Sequence, residues 1–218
     1  MKKIYFVRHG ESEGNVGLYV QTPEEPLTKD GIKQAEVVSK RFSSLPIDVI
    51  LSSPEKRAKM TAEVIENNIK KPLEYSDLLV EFIKPSAILK KLKKDPEVKE
   101  IKKVIKANFH VSGWKHSDEE NFEDLKKRAI DLLNYIITRK ESNIVIVTHG
   151  IFMRMIVAVA VMGKELTSHE YWKFFVTLGM DNTGITILKS NDAEDYADAS
   201  AWELVTWNDH AHLEEYNK

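Results

Sequence analysis

The most apolar part of the chain is residues 144–162, which run IVIVTHGIFMRMIVAVAVM. The length of this stretch would suit a transmembrane helix. Thr148, His149, Gly150 and Arg154 interrupt it, however, and charged or helix-breaking residues are costly in lipid. We therefore predict a buried strand that ends at the Thr-His-Gly turn and continues into a buried helix.

The same alternation of strand and helix patterns continues along the chain. Short apolar runs predict strands at residues 4–7, 47–51, 72–75, 143–147, 183–188 and 202–205. Helical spacing of apolar residues predicts helices at 28–43, 54–67, 151–162 and over most of 84–141. Ser53 is the predicted cap of the second helix, and Pro54 suits its first position. The pattern indicates an α/β fold with a mostly parallel sheet covered on both faces.

Composition narrows the class of protein. The chain has 218 residues, of which 42% are apolar and 30% charged, so one domain spanning 1–218 is expected. The net charge of -2 gives no general attraction to nucleic acid or to an anionic membrane, and we predict neither as a partner. The absence of cysteine excludes disulfides, thiolate metal sites and a cysteine nucleophile. The N-terminal residues lack a signal-peptide pattern, and we expect a cytoplasmic location.

Two His-Gly turns carry the strongest chemical signal. His9-Gly10 follows the first predicted strand, and His149-Gly150 follows the strand at 143–147. Ligands of open parallel sheets bind beyond the carboxyl ends of the strands, so we expect the two imidazoles to converge there. A single such histidine is better explained as structural, but two in the same setting favour function.

The side chains around these turns predict a phosphate ligand. Arg8 and Arg57 carry planar, permanently charged guanidinium groups that bind phosphate bidentately. Arg57 lies in the first turn of a predicted helix, where backbone N–H groups also favour anions. Ser12 and Asn15 add neutral donors on the loop that follows His9.

A neutral imidazole at such a site is a competent nucleophile, and His9 would attack phosphorus. The leaving oxygen then needs a proton, which a nearby carboxylic acid could supply. Glu81 is the first candidate because its apolar sequence context, LLVEF, favours a protonated side chain. Asp77 and Glu74 are local alternatives that the residues alone leave open.

Four segments together resemble the histidine phosphatase superfamily, also called the phosphoglycerate mutase-like family. They are RHGES..N (8–15), PLTKDGIKQAE (26–36), LSSPEKRAKMTAE (51–63) and VTHG (147–150). The resemblance extends over nearly the whole chain. The order of the segments makes it far more specific than RHG alone.

The resemblance implies a three-layer α/β/α sandwich, with residues 84–125 as a helical insertion over the active site. It also implies roles for the residues already singled out. His9 would form the phosphohistidine and Glu81 would be the acid, which places it above Asp77 and Glu74. The rest of the phosphate pocket would come from Arg8, Ser12, Asn15, Arg57, His149 and the Gly150 amide. These cationic side chains would leave no need for a metal or another cofactor.

Two departures from the family pattern bear on the reaction. The loop at 20–25 reads VQTPEE and lacks the Arg and Gly common there in the family. The Arg-Arg pair with which phosphoglycerate mutases hold the sugar acid is also missing. Water is therefore the predicted acceptor, and the chain is predicted to be a phosphatase acting on a small phosphorylated substrate. A mutase is the alternative, and a phospho-ligand binding protein with little turnover is a third possibility.

Residues 84–106 hold nine lysines and three acids. A solvated helix face is the simpler interpretation, and a lysine rim around an anion pocket is the sharper one. The rim would suit a substrate with more than one acidic group. The sequence does not identify that substrate, and it leaves the oligomeric state open.

Overall fold

A computed structural model describes residues 1–190 and 201–216. The strands pair in one sheet of order β3-β2-β4-β1-β5-β6. In chain order they are β1 (Lys3–Arg8), β2 (Val49–Ser52), β3 (Leu73–Tyr75), β4 (Asn143–Thr148), β5 (Ile185–Ser190) and β6 (Trp202–Asp209). β1, β2, β3 and β4 pair in parallel, whereas β5 runs antiparallel to both β1 and β6. The predicted, mostly parallel sheet is confirmed.

Helices cover both faces of this sheet. They are α1 (Glu13–Val16), α2 (Lys29–Lys40), α3 (Lys56–Ile69), α4 (Pro96–Asn108), α5 (Phe122–Thr138), α6 (Gly150–Met162), α7 (Ser168–Thr177) and α8 (Ala211–Tyr216). Short 3₁₀ helices occur at Asp77–Leu79 and Ser86–Ile88. No helix in these described ranges is long and apolar enough to cross a membrane.

Alternation along the central strands divides the core into two layers. Phe6 and Ile146 pack with α5 and α6 on one face, whereas Val7 and Val147 pack with α2 and α3 on the other. Successive strand residues point to opposite faces, so each central strand contributes to both layers. The three-layer α/β/α sandwich is confirmed.

The apolar stretch 144–162 is β4 followed by α6, as predicted. The residues of β4 from 144 to 148 are all buried, and so is most of α6. A helix that is apolar on most of its surface belongs inside a protein or a membrane. Here it lies between α5, α7 and the sheet.

Register explains why the two His-Gly turns meet. β1 and β4 are parallel neighbours, and Arg8 is paired with Thr148. His9 and His149 therefore directly follow the carboxyl ends of two adjacent strands, and both turns leave the sheet on the same side. The N–H of His9 continues the ladder by donating to the carbonyl of Thr148 at 3.0 Å.

Some predicted boundaries differ from the structure. α3 begins at Lys56 with Glu55 as its N-cap, so Ser53 does not cap this helix and Pro54 precedes it. The Ser53 hydroxyl instead accepts from the Glu55 N–H at 3.2 Å. Helix α7 and the short α1 are absent from the predicted elements, and β6 continues beyond the predicted residue 205 to Asp209.

The segment predicted as an insertion, residues 84–125, contains a 3₁₀ helix, α4 and the first residues of α5. Its first part is joined to the loop that follows His9. The Lys93 ammonium donates to the carbonyls of Gly14 at 3.0 Å and Gly17 at 2.7 Å, and the Lys93 N–H donates to Leu18 at 2.7 Å. The segment thus lies beside the strand end where His9 is found.

Candidate active site

His9 is fixed in one tautomer at the carboxyl end of β1. Its Nδ1 lies 2.7 Å from the carbonyl oxygen of Gly10. A carbonyl oxygen only accepts, so Nδ1 must carry the proton. The other ring nitrogen, Nε2, keeps its lone pair and accepts from Nε of Arg57 at 3.2 Å. His9 therefore presents Nε2 as a potential nucleophile.

Arg57 is only 1% exposed, and each end of its guanidinium is held. Besides donating to His9, it donates from one terminal nitrogen to the carbonyl of Thr22 at 3.0 Å. The other terminal nitrogen forms an ion pair with Glu55. Because α3 starts directly after β2, this residue of its first turn reaches back across the strand end. The result is a fixed positive charge beside the His9 ring.

His149 lies close to His9, with ring centroids 5.2 Å apart. Its Nε2 is 2.9 Å from the hydroxyl of Ser53. Burial holds the pKa of both imidazoles well below the usual value, and the positive charge of Arg57 acts in the same direction. Both rings are therefore neutral at neutral pH, which is the state a nucleophilic imidazole requires.

Arg8 lies against the start of α6. It donates to the carbonyl of Met180 at 2.5 Å, and a side chain added at Gly150 would come within 3.3 Å of its Nε. Burial lowers the pKa of Arg8, while the charge of Glu81 raises it. Within the described residues, Nε of Arg8 and Nδ1 of His149 are buried without a hydrogen-bond partner. We call the side chains of Arg8, His9, Arg57 and His149 the phosphate pocket.

Ser12 and Asn15 bond to each other beside this pocket. Oδ1 of Asn15 accepts from both the N–H and the hydroxyl of Ser12 at 3.0 Å. Asn182 donates to that same Oδ1 at 3.3 Å and to the carbonyl of His9 at 2.8 Å. These contacts hold the loop that follows His9. Asn182 was not among the predicted site residues, although the run NTGIT that contains it (182–186) directly precedes and enters β5.

Glu81 lies at the N-terminus of α6. Its Oε1 accepts from the N–H groups of Phe82 at 2.9 Å and Phe152 at 3.0 Å, and its Oε2 accepts from Ile151 at 3.2 Å. Three backbone N–H donors therefore hold this carboxyl group, a contact that the apolar sequence context LLVEF did not indicate. The alternatives lie elsewhere: Asp77 is exposed, and Glu74 pairs with Arg139 at 2.8 Å.

Glu55 is a site residue that the sequence analysis missed. Its Oε1 accepts from the Glu81 N–H at 2.9 Å, and its Oε2 pairs with Arg57 and lies 3.7 Å from Nε2 of His149. Burial raises the pKa of Glu55, and the charge of Arg57 opposes this shift. Its position two residues before Arg57 at a helix start was the available signal.

Arg128, from α5, is a second missed residue. It donates to the carbonyls of Val80 at 2.7 Å and Leu78 at 3.1 Å, and its guanidinium lies 3.8 Å from the centre of the Phe152 ring. Two further hydrogen bonds, of 2.8 and 2.7 Å, join it to the carboxylate of Glu120. Arg128 thereby fixes the loop that carries Glu81.

A cavity of about 100 Å³ opens between the catalytic candidates and the segment 84–125. Arg57, Glu55 and Glu81 line one side, and Phe82 and Lys84 line another. His9 does not line this cavity, but Arg57, which does, donates from Nε to Nε2 of His9 at 3.2 Å. A small dianion placed here would meet the positive charge of the guanidinium next to an imidazole lone pair.

Comparison with known proteins identifies the family of this chain. A sequence profile of the histidine phosphatase superfamily (branch 1) matches residues 4–210. The putative phosphoserine phosphatase 2 of Hydrogenobacter thermophilus is 30% identical over 190 residues, which cover 85% of this chain and 88% of that protein. The probable phosphoglycerate mutase GpmB of Salmonella arizonae is 26% identical over an alignment of 227 positions. The alignment covers 98% of this chain and 96% of that protein.

Solved structures share the fold. YhfR of Bacillus stearothermophilus superposes with a TM-score of 0.81 at 23% identity, covering 98% of this chain and all of that one (100%). A phosphoserine phosphatase of Entamoeba histolytica gives a TM-score of 0.74 at 23% identity, with coverage of 98% and 100%. The chain belongs to the histidine phosphatase superfamily.

Proposed function

We propose that the protein is a phosphatase that hydrolyses phosphomonoesters, without a metal ion, through a phosphohistidine on Nε2 of His9. One observation carries the proposal. Nδ1 of His9 is committed to the Gly10 carbonyl, while Nε2 faces the guanidinium of Arg57. A nucleophile is thus held beside the positive charge that a transferring phosphoryl group needs.

In the first step, the phosphoryl group replaces His9 as the partner of the Arg57 Nε–H. Nε2 of His9 then attacks phosphorus, the P–O bond to the substrate alcohol breaks, and the leaving oxygen takes a proton from Glu81. Oε2 of Glu81 accepts one backbone N–H, at 3.2 Å, whereas Oε1 accepts two, so Oε2 has the freer lone pair for that proton.

In the second step, the Glu81 carboxylate removes a proton from water, and the water oxygen attacks the phosphohistidine. The P–N bond breaks, which returns the electron pair to Nε2 of His9 and releases inorganic phosphate. Arg8 and His149 would stabilise the phosphoryl oxygens in both steps. The buried Arg8 Nε and His149 Nδ1, unpartnered within residues 1–190 and 201–216, support this role.

A mutase is the second candidate function. It is favoured by the relative from Salmonella arizonae, named a probable phosphoglycerate mutase, which is similar over 98% of this chain. The same phosphohistidine would then pass its phosphoryl group to another hydroxyl of the substrate. Product analysis with 3-phosphoglycerate separates the two: a phosphatase releases inorganic phosphate, and a mutase forms 2-phosphoglycerate.

The test of the proposed function uses rapid quenching with ³²P-labelled phenyl phosphate. The wild-type protein should carry label that is lost in acid and retained in base, and turnover should persist in a metal chelator. His9→Ala should lose the label and at least about 10³-fold in rate, because covalent transfer is no longer available. His116→Ala is the matched control, since that histidine is exposed outside the pocket.

Two results would contradict the proposal. One is full turnover by His9→Ala, which would place the nucleophile elsewhere. The other is a label on the wild-type protein that survives acid, which would indicate a phosphoester instead of phosphohistidine.

Glu81→Gln should slow phenyl phosphate turnover by about 10²-fold, within the range of general acid catalysis.

A further inference from the structure

A second cavity, of about 320 Å³, adjoins the first, and the two share Phe82 and Lys84 in their walls. Its surface is almost entirely apolar and largely aromatic. The aromatic residues of the wall are Phe82, Phe109, Tyr171, Trp172 and Phe175. Pockets of this size and character hold small organic ligands. We call it the leaving-group cavity.

The cavity begins where the substrate alcohol has to lie. Ile151 is part of its wall, and the Ile151 N–H holds Oε2 of Glu81 at 3.2 Å. Tyr171, which also lines the cavity, donates its hydroxyl to the Ile151 carbonyl at 3.3 Å. An alcohol whose oxygen receives the Glu81 proton therefore directs its remaining atoms past Ile151 into this space.

Three lysines stand at the rim of the cavity: Lys84, Lys102 and Lys106. Among the described residues, the ion pairs of segment 84–106 involve Lys91 and Lys103, and the three rim lysines have none. The ammonium of Lys106 lies 5.1 Å from the centre of the Trp172 ring. Burial and the charge of Lys84 lower the pKa of Lys102. The rim thus places three lysines beside aromatic surface, and the charge of Lys84 also acts on Glu55 in the adjoining cavity.

We propose that the preferred substrate is a phosphomonoester whose alcohol part has a bulky apolar, aromatic-sized body and carries a second anionic group. The body would fill the leaving-group cavity, and its anion would bind the rim lysines. This inference rests on the proposed function for the position of the phosphoryl group. Small phosphorylated acids such as phosphoserine would leave the aromatic wall uncovered.

The test compares two aryl phosphates, 3-[4-(phosphonooxy)phenyl]propanoate and its methyl ester. Their leaving phenols differ only in whether the carboxyl group is free or esterified. The wild-type kcat/KM should favour the acid by about fivefold, the upper range for an ion pair at exposed positions. The double substitution Lys102→Gln and Lys106→Gln should remove most of that preference. Lys99→Gln with Lys103→Gln is the matched control, because those exposed lysines of α4 lie outside the cavity wall.

The apolar part is tested with Trp172→Ala. This substitution should lower kcat/KM for both aryl probes by about tenfold, through lost aromatic burial, and change phosphoserine turnover less than about twofold. Equal losses on all three substrates would show that Trp172 supports the fold and does not contact the substrate. That result would overturn the assignment of the cavity.

Calorimetry with His9→Ala separates failure of the inference from failure of the proposed function. Turnover of acid and ester at equal rates, unchanged by the lysine substitutions, overturns the inference and leaves the phosphatase intact. If the wild-type protein turns over neither probe but His9→Ala binds the acid in a lysine-dependent way, the proposed phosphatase function fails. The inferred class of ligand then still stands. If the protein shows neither turnover of the probes nor binding of the acid, both the inference and the proposed function are overturned.

Discussion

The phosphate pocket and the leaving-group cavity are neighbours with opposite construction. In the pocket, Arg57 has three protein partners and His9 has one for each ring nitrogen. In the cavity, Lys102 has no ion-pair partner among the described residues, and the wall is aromatic. A rigid charge array suits a step that is the same for every phosphomonoester. A charged rim over an apolar wall suits the part of the substrate that differs.

The largest expected effect comes from the fixed charge of the pocket. Arg57→Ala should reduce kcat/KM for phenyl phosphate by about 10³-fold, because it removes a charge-assisted contact to the transition state. Arg57→Lys should recover only part of this loss, since an ammonium lacks the guanidinium fork. Arg41→Ala is the control, as Arg41 pairs with Asp209 on the surface at 2.7 Å. A loss below tenfold for Arg57→Ala would mean that the pocket is not the site of phosphoryl transfer.

The rigidity of the pocket should also depend on close backbone contacts. A Cβ atom at Gly31 would collide with the carbonyl of Glu11, on the loop that carries His9. Gly31→Ala should therefore lower the free energy of unfolding by about 3 kcal/mol, the upper range for overpacking. Urea denaturation measures this. Gly179→Ala, where a Cβ has nothing within 4 Å, should change stability far less; equal effects would show that the loop adapts easily.

The phosphate pocket was largely predictable, for a reason that the register makes clear. His9 and His149 each follow an apolar strand, and the pairing of Arg8 with Thr148 places them side by side. Strand patterns and turns are local, and the carboxyl edge of a parallel sheet is where such turns converge. The predicted sheet followed from the same patterns, and the resemblance gave the three-layer arrangement.

Tertiary packing explains what was missed. Glu55 belongs to the site because α3 begins two residues later than predicted, which turns its side chain back to Arg57. Arg128 reaches carbonyls 48 and 50 positions earlier in the chain, and nothing in its own helix indicates that contact. The leaving-group cavity likewise combines residues of α4 and α7, whose side-chain directions are set only when the two helices pack.

The buried histidines of the pocket give the protein a stability that depends on pH below neutrality. Burial lowers the pKa of His9 and His149, whereas an unfolded histidine titrates near about 6.5. Below that pH the unfolded chain binds protons that the folded chain does not. Stability should therefore fall as the pH drops below about 6.5, by up to about 1.4 kcal/mol per pH unit for each ring.

Urea denaturation at pH 7.5 and 5.5 measures this dependence. His9→Asn should make the decline shallower by about 1.4 kcal/mol per pH unit below 6.5, because one of the two coupled protonations is removed. His116→Asn, at an exposed position, should leave the slope as in the wild type. An unchanged slope in His9→Asn would mean that the folded and unfolded chains protonate this ring alike, so that burial does not lower its pKa.

The smallest effect is expected where the two regions join. Arg128 binds Glu120, which belongs to the segment 84–125, and the carbonyls of Leu78 and Val80, which precede Glu81. Arg128→Lys should lower kcat for phosphoserine by about tenfold, since misplaced general acids lose part of their effect. With 4-nitrophenyl phosphate, whose leaving group needs little protonation, the loss should be much smaller.

That difference between leaving groups identifies Arg128 as a positioning residue acting through Glu81. A purely structural role would reduce both rates equally, and a role in holding the substrate body would raise KM instead of lowering kcat. Lys127→Ala is the matched control, because Lys127 is exposed on the same helix and pairs only with Asp131 at 2.6 Å among its described ionic contacts. Equal losses on both substrates would therefore show that Arg128 does not act by positioning Glu81.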